Sequence, residues 1–261
     1  LHYPLRRQRQ MCIRDRLSIA IGNWTNLGWK GSLGVWIIAA IAALIIVCID
    51  SLKNKTATQQ KTVQSEDVKF NIFKSKQAWN ISIFMGLQSL IYYCLVALLP
   101  TLLIDFGMTK TNAGWVFSVL QLAMLPAMLV SPILASRMKN PKIMIYITSA
   151  LYFIGIITLL IFKAKFSYLS AILIGIAGGF AFSLSILFFS LKTKTMVGTI
   201  KISGMAQSVG YLIAAFGPPI FGKLYDIEST WSYSLYFLMF CMIILTFFGI
   251  KASQPKFVEE D

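Results

Sequence analysis

Gln88 and Tyr92 stand four residues apart, and Gln207 and Tyr211 repeat that spacing. On a helix, positions i and i+4 share a face. An amide and a phenol on one face can donate to and accept from a small polar solute, while the ring can lie against a planar one. Gln121 adds a third amide. It precedes Pro132 by the same interval that separates Gln207 from Pro218, as corresponding members of a weak inverted repeat would. These five residues are the candidate substrate-binding set. Their bland role is interhelical bonding worth roughly 0.6–2 kcal/mol each.

The small residues and prolines form a second set, for packing and gating. Gly175 and Gly179 make a small-xxx-small face that lets another helix approach closely. Gly210, Gly217 and Pro218 continue that set, and Pro126, Pro132 and the Pro218-Pro219 pair can bend helices by removing backbone donors. Trp24, Trp29, Trp115 and Trp231 fall near the ends of apolar stretches, where anchoring at a membrane interface is expected.

The elements that carry these residues follow from where the charges are absent. The chain is 57% hydrophobic and 13% charged, against about 45–50% and 25% for a soluble domain. Its mean hydropathy is +0.70. A charged side chain at the centre of a bilayer helix costs roughly 2.5–3.5 kcal/mol or more, so charges mark span boundaries. Seven uncharged windows result, at 31–49, 77–104, 111–136, 143–162, 166–191, 202–222 and 229–250. Each is close to the roughly 20 residues that cross the hydrocarbon as a helix. None alternates as a barrel strand would, so the expected fold is an all-α integral membrane protein with seven transmembrane helices.

The net charge of +14 is not a nucleic-acid signature, because the basic residues sit in short runs between apolar stretches. They are distributed by topology. Fourteen lie in loops on one side, from Lys53 to Lys76, Arg137 to Lys142, Lys192 to Lys201 and at Lys251 and Lys256, against five on the other. The richer side is expected to be cytoplasmic, carboxyl terminus included, in a cell membrane of bacterial type.

Residues 1–16 hold five of the six arginines. The run Met11-Cys12-Ile13-Arg14-Asp15-Arg16 resembles a translation of the end sequence of transposon-based sequencing libraries, so this stretch reads as non-native. Residues 17–49 then read as the end of an earlier half with its last helix, 50–76 as a cytoplasmic linker, 77–250 as a six-helix bundle and 251–261 as a cytoplasmic tail. On that arithmetic the chain is the carboxyl-terminal half of a twelve-helix protein plus one helix, and its partners are lipid, a small solute and the missing amino-terminal half.

Particular runs sharpen this. Phe84 to Tyr93 with Leu99-Pro100, Ala113-Gly114-Trp115 with Leu120-Gln121-Leu122 and Pro126, and Ser203 to Tyr211 continuing to Gly217-Pro218-Pro219 and Gly222 resemble helices seven, eight and eleven of the cyanate and 2-nitroimidazole transporter-like (CynX/NimT) family of the major facilitator superfamily. Gly28-Trp29-Lys30 resembles the approach to the sixth. The loop from Ser136 to Lys142 keeps only the basic part of that superfamily's Gly/Asp/Arg loop motif and lacks its acidic partner. The resemblance implies a secondary transporter working by alternating access without a cofactor.

Two other function classes fit less well. A membrane enzyme needs a nucleophile, base or metal cluster, and the spans hold neither histidine nor carboxylate, while Cys12, Cys48, Cys94 and Cys241 are widely spaced. A seven-helix photoreceptor would want a lysine in its last helix, and 229–250 has none. Asp105 and Asp226 fall at outer helix ends, where solvation is expected instead of proton relay.

Overall fold

The computed structural model describes residues 70–138 and 142–260, together with Ile37, Ile41, Leu44 and Ile45. The chain divides into two compact units, Leu1–Lys69 and Phe70–Asp261. In the first, those four isolated positions are helical and exposed. The expectations for residues 1–16, 17–30 and 50–69, and most of the window 31–49, lie outside the described residues.

The second unit is helical throughout its described length. A 3-10 turn, Ile72–Lys74, leads into α1 (Lys76–Asp105), α2 (Lys110–Arg137), α3 (Lys142–Phe162), α4 (Ser167–Leu191), α5 (Met196–Ala215), α6 (Gly217–Glu228) and α7 (Ser232–Ala252), and a second turn covers Val258–Glu260. Five of these helices, α1 to α4 and α7, are long and apolar enough to cross a membrane. Their boundaries fall at the charges that delimit the sequence windows. The starts of α1, α2 and α5 are capped by hydroxyls: Ser75 accepts from the Ala78 amide, Thr109 from Asn112 and Thr195 from Gly198, which satisfies donors that a helix start leaves open.

The window 202–222 departs from expectation, because it is not one helix. Helix α5 begins at Met196, so Lys201 lies on a helix and not in a loop, and α6 starts afresh at Gly217. The cause is the adjacent proline pair. Pro218 and Pro219 have no N–H, so the carbonyls of Ala214 and Ala215 lose their i+4 donors together. Isolated prolines do less: α2 runs unbroken through Pro126 and Pro132.

Helix α1 is the hub, packed against α2, α4, α5, α6 and α7, while α4 also packs against α2 and α3. Phe84, Met85, Ile91, Leu99 and Leu102 of α1 are fully buried, with Tyr152, Phe188, Phe221 and Leu235 from its surroundings. Side chains on the outside are as apolar as those within: Leu122, Leu125 and Leu129 on α2, Ile154 and Ile161 on α3, and Phe240, Ile243 and Phe247 on α7 are all exposed. A surface of that kind suits hydrocarbon and not water. Most buried hydroxyls are satisfied within the bundle, Ser131 Oγ being an exception. Ser82, Thr148, Thr158, Ser185 and Thr246 each donate to the carbonyl four residues back, and Ser149 and Thr246 join α3 to α7 at 2.7 Å.

Candidate functional site

Tyr92 lies on α1, and its hydroxyl meets the amide of Gln121 on α2. Gln121 Nε2 donates to Tyr92 Oη at 3.1 Å, and Tyr92 Oη donates to Gln121 Oε1 at 3.4 Å. The contact is part-buried. Even with both bonds made, the amide keeps its second N–H and each oxygen a further lone pair, so a donor and acceptors remain for a third molecule.

Tyr93, the next residue, presents its ring edge-on to Tyr92 with centroids 5.5 Å apart. It is within electrostatic reach of Tyr211 on α5. Tyr93 and Tyr211 are 42% and 43% exposed, which marks an open aromatic surface and not core filling. Three helices therefore converge on one neutral patch of three phenols and an amide.

Close backbone approach delivers Tyr211 to this patch. A Cβ on Gly86 would lie 3.1 Å from Gly210 Cα, and one on Gly217 would lie 2.8 Å from Leu90 Cγ and 2.9 Å from Cys94 Sγ. Helix α5 and the start of α6 thus lie directly against α1, and Tyr211 follows Gly210. Pro218 sits in the first turn of α6. On the other flank, Gly175 and Gly179 seat α4 on α2: a Cβ there would be 2.4 Å from Leu120 O and 2.5 Å from Met124 O.

Of the five candidate binding residues, Tyr92 and Gln121 are in direct contact, and Tyr211 is related to them only through Tyr93. Gln88 is 2% exposed and donates to Ser89 Oγ at 2.8 Å. Gln207 is exposed and donates to Ser203 Oγ at 2.9 Å. Each commits an amide proton to a serine of its own helix. Tyr93 is the residue that spacing overlooked. Its signal was adjacency: two consecutive tyrosines on a helix point about 100° apart and open on neighbouring faces.

At the α1–α2 end of the bundle, Trp231 corrects another expectation. It is 4% exposed and not an interfacial anchor; its indole donates to Asp105 Oδ2 at 3.0 Å and stacks on Tyr225 at 4.2 Å. The Tyr225 hydroxyl lies within the electrostatic influence of Asp105. Asp105 is exposed, as its terminal position requires, yet it ties the end of α1 to α6 and to the start of α7. Among the described residues no group of His, Cys, Asp and Glu could hold a metal ion, and Cys94 and Cys241 are free and buried.

Comparison with known proteins bears on the family of the chain. The Major Facilitator Superfamily profile matches residues 17–218. The uncharacterized transporter YycB of Bacillus subtilis (strain 168) is 32% identical over 93% of this chain and 60% of its own length. The 2-nitroimidazole transporter of Escherichia coli (strain K12) is 28% identical over 88% of this chain and 58% of its own. The cyanate transport protein CynX of the same organism is 22% identical over the same shares. The chain thus spans about three fifths of the length of the curated relatives it matches.

Proposed function

This chain belongs to the Major Facilitator Superfamily, with transporters of the CynX/NimT type as its relatives, and from that premise we propose that it supplies the carboxyl-terminal helices of a secondary transporter for a small planar solute. The α5–α6 pair counts as one broken span, which with the window 31–49 makes seven helices of twelve. The share of the relatives' length that the chain covers is in keeping with that count. Its carboxyl terminus is cytoplasmic by the lysine distribution, and the amino-terminal half completes the cavity.

The Tyr92–Gln121 pair carries the reading. It is a polar contact between two apolar helices, part-buried, with unused hydrogen-bonding capacity beside two exposed phenol rings. Alternating access requires a site near the midplane, shared between halves that rock about it. A neutral patch of donors and rings suits a nitroimidazole-like heteroaromatic. A cyanate-like anion would need positive charge from the other half, since no lysine or arginine stands in this patch. The break at Gly217 gives the eleventh helix of the proposed twelve a joint beside the patch, where gating motion can be taken up.

The test is uptake by the complete transporter in proteoliposomes, with labelled 2-nitroimidazole and cyanate side by side. Tyr92→Phe and Gln121→Leu should each raise KM roughly three- to tenfold, the loss of one hydrogen bond of about 0.5–1.5 kcal/mol. Unchanged KM for every transported solute in both variants removes this patch from the pathway. The 261-residue chain without its other half should not transport.

A further inference from the structure

The residues after α7 are docked. Val258 is 1% exposed, and its amide donates to Lys192 O at 2.9 Å. Lys192, at the end of α4, is 7% exposed and donates in return to Ser253 O at 3.1 Å and to Gln254 O. Burial pushes the Lys192 ammonium below its ordinary pKa, so those carbonyls compensate for lost water. Glu260 pairs with Lys194, whose ammonium also lies 5.1 Å from the Phe257 ring.

Glu259 occupies the start of α5. Its Oε1 accepts from the Lys194 amide at 3.0 Å, the Thr195 amide at 3.2 Å and the Thr195 hydroxyl at 3.1 Å. A carboxylate at a helix amino terminus meets open donors and the positive end of the dipole. Gly198, in the first turn of α5, leaves room for it, since a Cβ there would lie 2.1 Å from Glu259 Oε1. For an isolated helix alanine would be the better residue at that position.

We infer that Ser253–Glu260 is a strap locked by Glu259, a positioning residue that fixes the first turns of α5, and so the helix bearing Tyr211, to the ends of α4 and α7. The first turns of α5 then move only with the ends of α4 and α7, while the helix beyond them stays free to shift on α1. The α5 start and the strap meet without any contribution from the transport site, so the structural arm of the test is independent of the proposed function.

That arm is hydrogen exchange in the complete transporter, followed over residues 194–199. Glu259→Ala, and truncation after Gln254, should speed exchange there at least tenfold, with Glu259→Gln intermediate because its amide oxygen still accepts. Gly198→Ala should behave like Glu259→Ala, since its methyl group displaces the carboxylate. Helix propensity alone predicts the opposite, so slower or unchanged exchange in Gly198→Ala overturns the inference, as does wild-type exchange in Glu259→Ala. In uptake, Glu259→Ala should lower turnover several-fold at unchanged KM, and Glu259→Gln should recover most of it. Wild-type turnover in Glu259→Ala would refute the positioning role.

Discussion

Glycine brings helices together at two seams of this bundle, and the seams differ in kind. Where α4 meets α2, the atoms facing Gly175 and Gly179 are backbone carbonyl oxygens, at 2.4 and 2.5 Å from an added Cβ. Where α5 and α6 meet α1, the atoms nearest an added Cβ on Gly86 or Gly217 are side-chain atoms, Ile213 at 2.9 Å from Gly86 and Leu90 and Cys94 at 2.8 and 2.9 Å from Gly217, with backbone no nearer than 3.1 Å. Backbone cannot step aside without moving a whole helix, whereas a side chain can change rotamer. The first seam is a weld and the second can slide, and the second is the one beside Tyr92, Tyr93 and Tyr211. The paired prolines add give on that side alone.

The largest effect should come from closing the weld. Gly175→Ala together with Gly179→Ala forces α2 from α4, at about 1–3 kcal/mol per site for overpacking, and the complete transporter should lose much of its folded yield. A wild-type melting profile would abolish the distinction between the seams. Next comes the joint. Replacing Pro218 and Pro219 with alanine restores two backbone donors, and since an interior proline costs a helix about 3 kcal/mol, α5 and α6 should fuse. Thermal stability should rise and uptake should slow several-fold; faster uptake would show that the joint is not what moves. Gly86→Ala should cost about 1–2 kcal/mol, because Ile213 Cδ1 can yield while Gly210 Cα, 3.1 Å from the added Cβ, cannot. Smallest is Gln207→Ala, whose exposed amide bonds its own helix: stability within about 0.5 kcal/mol of wild type and KM unchanged. A raised KM would bring Gln207 back into the site.

Much of the fold could be read before any coordinates, for a simple reason. Charge is costly in hydrocarbon, so Lys76, Asp105, Lys110, Arg137 and Lys142 had to lie at helix ends, and they do. The α5–α6 break escaped because a window of uncharged residues records hydropathy and not missing backbone donors, although Gly217-Pro218-Pro219 was in view. The α5 start is hidden from a reading by charge because Lys201 looks like a span limit; its ammonium instead lies 4.8 Å from the Phe70 ring. Trp231 was misassigned because its partner Asp105 is 126 residues away, and no local pattern announces such a pairing. The site was legible in its residue types and less so in its grouping. Spacing places Gln88 with Tyr92 on one face, yet a serine next to Gln88 intercepts the amide, and Tyr92 pairs across 29 residues with Gln121.

The docked end of the chain also sets an order of events during synthesis. Thr195 and Glu259 are 64 residues apart, so the α5 start leaves the ribosome without its carboxylate and remains so while α6 and α7 are made. Chains emerge at roughly 5–20 residues per second, which leaves several seconds in which this corner is unfastened.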